Sequence, residues 1–298
     1  MKNKASDAHE LPPVSVYQSH QPESFDLEDS RTFVAGLLEF AKNHRVIEHP
    51  LLLKIRDGGF KRQHLVLTDF LYQYSAYSSD FLRYLTGTIS QLESRKHREA
   101  LMRNVVEELG HLDSAEEKEL KEAEIDPEWV RGVPHPQLYS RFMEAIGCTS
   151  DWKANHPICD EVVAWKAMFN AACSAGGASQ AVGAMGIATE SIVKYIYRKI
   201  LGGIHKTYAI SPEERVFFDL HAAIDDKHGD TLNEVAAELA QYRNHRVGLH
   251  LGVVIGLNLR ASFLDAMLIR AENIDRGTIK IETPLAKNQR KQIAAKAA

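Results

Sequence analysis

The stretch HAAIDDKHGD, residues 221–230, sets two histidines and three aspartates within ten positions. On a helix each residue advances about 100°, so with His221 at zero Asp225 falls near about +40° and His228 near about −20°. Asp226, Lys227 and Asp230 point the other way. The same arithmetic puts Phe217, Ile224, Leu232, Val235 and Leu239 within about 60° of His221, on the stripe that seeks the core. Upstream, Ser211-Pro212-Glu213-Glu214 is a helix-start signal: a capping serine, a proline at the first helical position and a glutamate able to reach back. His221, Asp225 and His228 are therefore expected to face inward on a helix over 212–244. A carboxylate buried there without compensation is expensive. Two things can supply it: hydrogen bonding among the side chains themselves, or a metal that satisfies imidazoles and carboxylate together.

The rest of the chain is helical in pattern almost throughout. Helices are predicted over 29–43, 48–56, 61–90, 94–123, 135–147, 157–201, 212–244 and 247–274, with only TIKIETP near the end reading as extended. The fold class expected is all-α: a polar N-terminal arm over 1–28, one helical domain over 29–275 and a C-terminal tail over 276–298. At 298 residues and a net charge of −4, nothing suggests a nucleic-acid surface. Cys148, Cys159 and Cys173 have neither zinc nor disulfide spacing, which suggests a reducing compartment. The N-terminus lacks the apolar core of a signal peptide. VGLHLGVVIGLNLR is apolar but short for a membrane span and carries His250. A cytoplasmic protein is expected, with no membrane partner.

Further ligands are available elsewhere. In RNVVEELGHLDSAEE, Glu108 lies on one stripe with Leu101, Val105 and Leu112, and His111 flanks it, while Glu107 turns outward. Spacing of i, i+3 would let Glu108 and His111 reach one ion, as in carboxylate-bridged di-iron bundles. Glu190 sits on a face of small and apolar residues in GAMGIATESIVKYIYRKIL. Small residues there permit close helix packing, or leave room for a pocket with Glu190 as a bridging carboxylate; Lys194 on nearly the same face could instead pair with it. Glu108, His111, Glu190, His221, Asp225 and His228 make three carboxylates and three imidazoles. A single zinc needs only three or four ligands, so two ferrous ions are expected. The site then keeps one net positive charge and open positions, suited to an anionic substrate and O₂.

These residues resemble the haem-oxygenase-like di-iron oxidases and oxygenases, whose fold is shared with TenA-type thiaminases and pyrroloquinoline-quinone synthase. The resemblance runs from about 47 to 270. It takes in HPLLLKIRDGGFKRQHLVLTDFLYQYSAYSSDFLRYL, RNVVEELGHLD, HPQLYSRFMEAIG and HAAIDDKH, with HxxxDxxH its most specific mark. It implies His221, Asp225 and His228 as one ligand group, Glu108 and His111 as another, and Glu190 between. The helix-94 carboxylate varies among subgroups, so the resemblance points to His111 more firmly than to Glu108. Residues 112–134 read as an added, solvated excursion. The nucleophilic cysteine of the TenA branch has no counterpart here, and His44 and His49 are the candidates for a haem ligand, without partners in sequence.

The resemblance implies an O₂-dependent, iron-containing oxidase or oxygenase acting on a small carboxylate-bearing substrate, an amino acid or derivative preferred. N-oxygenation, desaturation or C–C cleavage would be the outcome, in natural-product or cofactor biosynthesis, and a homodimer is possible. Tyr72, Tyr74, Arg83, Lys194 and Arg260 are the candidates to line its pocket. Two other readings stand beside it: a metal-free enzyme of the same fold working by acid–base chemistry, and a non-catalytic helical binding protein.

Overall fold

The computed structural model describes residues 24–284, apart from residues 224 and 225 and the side chains of residues 226–228. Asp225 and His228 therefore lie outside the described residues. Everything regular among those residues is helical, and the sole β contact is an isolated bridge from Ser24 to Tyr242. The helices are α1 (Leu27–Asn43), α2 (Pro50–Asp57), α3 (Gln63–Ser78), α4 (Phe81–Gln91), α5 (Arg95–Glu108), α6 (Ser114–Glu122), α7 (His135–Ala145), α8 (Ser150–Ala154) and α9 (Asp160–Ser174). They continue as α10 (Ala178–Val182), a π-helical segment (Gly183–Glu190), α11 (Ser191–Thr207), α12 (Pro212–Ala223), α13 (Asp226–Leu239) and α14 (Arg243–Arg276).

Three predicted helices are broken, each for a local reason. The 61–90 helix is interrupted at Ser79–Asp80, where Asp80 takes φ of −92° and ψ of 7°, outside the helical range. The 157–201 helix stops after Ser174, because Gly177 takes φ of +81°, outside the helical range of L-residues. The 94–123 helix ends at Glu108, and Gly110 turns the chain with φ of +86°. TIKIETP forms no strand.

α14 is the spine of the bundle. It is also, among the described residues, the one helix long and apolar enough by composition to cross a membrane; half of its most apolar window is buried inside the protein. The apolar stretch VGLHLGVVIGLNLR lies within this helix, which runs the full 34 residues from 243 to 276. Leu249, Val253, Leu257, Ala261 and Leu264 are fully buried, each large side chain contributing about 1.5–3 kcal/mol by leaving water. Against them lie α10 and the π-helical segment at backbone distance. A Cβ on Gly252 would stand 2.1 Å from the Gln180 carbonyl oxygen, and one on Gly183 2.4 Å from that of Leu249. The small residues around Glu190 thus serve close helix packing.

Candidate metal centre

α5 presents His97, Leu101, Asn104, Val105 and Glu108 as its buried face. Glu108 closes the helix and is 4% exposed. The next residues do not extend that face. Leu109 caps the helix, Gly110 turns left-handed, and His111 emerges at the surface, in a groove it shares with Glu107 and Glu116. The i, i+3 expectation for Glu108 and His111 needs a helix that Gly110 has already ended, so the structure does not bring His111 to Glu108.

Gly110 instead brings a different histidine there. Its carbonyl accepts the Gly132 N–H at 2.8 Å, and a Cβ on it would lie 2.5 Å from the Val133 nitrogen. Residues 112–134 are therefore a side excursion that leaves and returns at one glycine. The excursion buries Leu120, Ile125 and Val130 and is tied by Arg131 to Glu117 and Glu128, so it is more than a solvated face. The chain re-enters at Pro134, and α7 begins at His135. His135 Nδ1 lies 2.9 Å from Glu108 Oε2, yet the contact lacks hydrogen-bond geometry and leaves the buried nitrogen without an acceptor or donor.

His221 comes from α12. α7 and α12 pack through aromatic side chains: Tyr139 on Phe217 with ring centroids 4.7 Å apart, Phe142 on Phe218 at 4.7 Å. One turn back from Tyr139 is His135, and one turn on from Phe217 is His221. Their rings meet with centroids 5.0 Å apart. His221 Nδ1 is 2.6 Å from the Phe217 carbonyl oxygen. A carbonyl only accepts, so Nδ1 carries the proton and Nε2 keeps its lone pair, the tautomer suited to a metal ligand.

Ligand atoms of Glu108, His135 and His221 all lie within 4.8 Å of one another, and no other such trio occurs among the described residues. One carboxylate, one imidazole nitrogen lacking a hydrogen bond and one imidazole held in the ligating tautomer form a donor set for a borderline divalent cation such as iron, manganese or zinc.

The trio lines a small, partly open cavity of about 30 Å³, with Tyr74, Tyr77, Thr189, Glu190, Tyr197 and Arg260 on its other walls. Glu190, 3% exposed, ends the π-helical segment, a distortion often found at functional sites. Of the sequence candidates, the cavity gathers Glu108, Glu190, His221, Tyr74 and Arg260. It does not gather Tyr72, which stands edge-on to Trp152. Arg83 is exposed on α4, and Lys194 lies with its ammonium over the Tyr195 ring. Neither histidine suggested for haem is available in the way expected. His49 accepts the Leu51 N–H on Nδ1 and faces Asp265 with Nε2 at 3.0 Å, so both ring nitrogens are committed. His44 Nδ1 accepts from the Val46 N–H at 3.3 Å.

His135 was missed by sequence reasoning. The available signal was its setting, Val-Pro-His-Pro at a helix start opening the segment HPQLYSRFMEAIG.

The match to known proteins agrees with this geometry. Residues 68–261 fit the sequence model of a family described as iron-containing redox enzymes. The chain belongs to that family. The matched span runs from α3 to the middle of α14 and contains every residue of the cavity. Among solved structures, it is similar to a domain of unknown function with a haem-oxygenase-like fold from Shewanella denitrificans OS217. That likeness has a TM-score of 0.60 at 18% identity and covers 85% of this chain and 96% of the other. It is similar to a TenA homologue from Pseudomonas syringae pv. tomato DC3000 as well, with a TM-score of 0.60 at 16% identity over 87% and 98% of the two chains. At these identities the likeness carries the fold, which is the haem-oxygenase-like one. No protein of curated function matches in sequence.

Proposed function

We propose that the chain is a non-haem, O₂-dependent di-iron oxidase or oxygenase. Its substrate is a small carboxylate-bearing molecule, an amino acid or derivative in preference, that undergoes N-oxygenation, desaturation or C–C cleavage in a biosynthetic pathway. The observation that carries the reading is the convergence of Glu108, His135 and His221 in a family of iron-containing redox enzymes.

Glu108, His135 and His221 would hold one ion. Glu190, across the cavity, would serve a second, with Asp225 and His228 completing its set. Both of those lie outside the described residues, and the pattern HxxxDxxH is what assigns them. In this reading His135 fills the ligand position expected for His111. When bound, iron supplies the activation of O₂ and the electrons for its reduction. The protein's own part is positional. The Phe217 carbonyl keeps the His221 proton on Nδ1, so Nε2 stays a donor. The phenyl and phenol rings of Phe81, Phe217, Tyr77 and Tyr197 restrict water at the walls, which strengthens every electrostatic contact inside.

The structural likeness to a TenA homologue favours one alternative, a metal-free enzyme in which Glu108 and His135 act as an acid–base pair. Anaerobic titration of the full chain with Fe²⁺, followed by O₂ in a stopped-flow spectrometer, separates the two. Uptake near two ions per chain and a transient visible band are expected. Absence of iron uptake refutes the proposal and leaves the acid–base reading.

A further inference from the structure

Among the described residues Arg260 is the largest fully buried side chain, 1% exposed, on the stretch of α14 that faces the cavity. A guanidinium taken out of water normally brings an acid with it. Ten residues further along the same helix, Arg270 does so, gripping Asp69 with two hydrogen bonds of 2.7 and 2.8 Å. Arg260 does not. Its three hydrogen bonds go to neutral hydroxyls: Nη1 donates to Tyr74 at 3.1 Å, and Nη2 to Tyr77 at 3.2 Å and Thr189 at 3.3 Å. Of five N–H groups, three are used, and Nε has no acceptor at all. The faces of Tyr77 and Trp165, 5.3 and 5.5 Å from the guanidinium carbon, give it only cation–π support.

We propose that Arg260 is the anchor for the acid group of the substrate, and that this group binds at the α14 wall instead of on the metals. The inference rests on reading the cavity as the substrate site. It extends that reading by giving the two ends of the substrate separate places. The carboxylate meets Arg260, Tyr74 and Tyr77, and the remainder of the molecule runs over Phe81, Val193 and Tyr197 towards Glu108, His135 and His221. Charge-assisted hydrogen bonds to a carboxylate are stronger than those to phenols, so an entering acid takes donors over from the hydroxyls and supplies the missing counter-charge. The ligand class is a small monocarboxylic acid, bound as the anion. Binding of the acid consequently needs no iron.

Iron-free full-length protein, titrated calorimetrically with hexanoate and with its neutral near-isostere hexanamide, tests this directly. Hexanoate is expected to bind at least tenfold more tightly. Arg260→Gln should erase the difference, and Arg260→Lys should restore only part of it. Equal binding of the two probes by the wild type, no binding of either, a preference for hexanoate that emerges only after iron is added, or an undiminished preference in Arg260→Gln would each overturn the proposal. The wild-type comparison decides the matter even if a variant does not fold. Iron uptake, measured separately on the same samples, reports on the metal centre: loss of uptake with the hexanoate preference intact would refute that centre alone.

Discussion

The contact between Gly252 of α14 and the end of α10 makes a sharp prediction. An alanine methyl at 252 would lie 2.1 Å from the Gln180 carbonyl oxygen and 2.9 Å from the Ala184 nitrogen. Both are backbone atoms and cannot swing aside as a side chain would. Reaching even 3.0 Å from the oxygen requires the two helical rods to part by at least 0.9 Å (3.0 minus 2.1). Overpacking of this kind costs about 1–3 kcal/mol. At roughly 2–4 °C per kcal/mol for a large domain, the Gly252→Ala melting temperature should fall by about 2–12 °C. The displaced rod carries Glu190 at its next turns, and sites tolerate only about 0.5 Å of misplacement, so iron uptake should weaken as well. The control is Gly36→Ala in α1, where nothing lies within 4 Å of the added methyl; it should be neutral or stabilising by up to about 1 kcal/mol. Calorimetric melting and iron titration of the two variants would decide. A Gly252→Ala protein with wild-type melting and uptake would refute the close packing described for α14.

Two further outcomes are expected. Burial pushes the Glu116 carboxyl up to about 7, with a contribution from the neighbouring Glu107 carboxylate. Folding therefore takes up a proton between the ordinary glutamate value near 4.5 and about 7, and the destabilisation is absent below that window and complete above it. Glu116→Gln should leave the urea midpoint unchanged near pH 4 and raise it at pH 8; an unchanged midpoint at pH 8 contradicts the assignment. Asp69→Asn removes the acid from a pair whose carboxylate is 3% exposed and leaves Arg270 largely buried and uncompensated. It should cost about 3 kcal/mol in urea unfolding while iron uptake stays at the wild-type level.

The fold was legible because apolar residues recur with a helical period over most of the chain, and α12 and α14 begin within a few residues of where that period places them. What failed was continuity. Gly110, Gly177 and the Ser79–Asp80 pair each stop a helix whose apolar stripe continues on the other side, and periodicity alone does not register a left-handed residue. The candidate metal centre shows the consequence most clearly. Treating 94–123 as one helix made His111 a neighbour of Glu108. The real neighbour, His135, is 27 positions away in sequence and is returned by a turn packed on Gly110. Glu190 and His221 were named from the small and apolar residues on their own helical faces, and both line the cavity. Arg260 was named as a pocket residue, but its lack of an acid partner is a property of three-dimensional packing and leaves no trace in spacing.

The most direct measurement is Fe²⁺ affinity of two single variants, His135→Ala and His111→Ala, under anaerobic conditions. Loss of a residue that merely orients a ligand costs about 10–100-fold in metal affinity, so His135→Ala should lose more than that, and His111→Ala should bind as the wild type does. Wild-type affinity in His135→Ala, or a collapse confined to His111→Ala, would contradict the centre built on Glu108, His135 and His221.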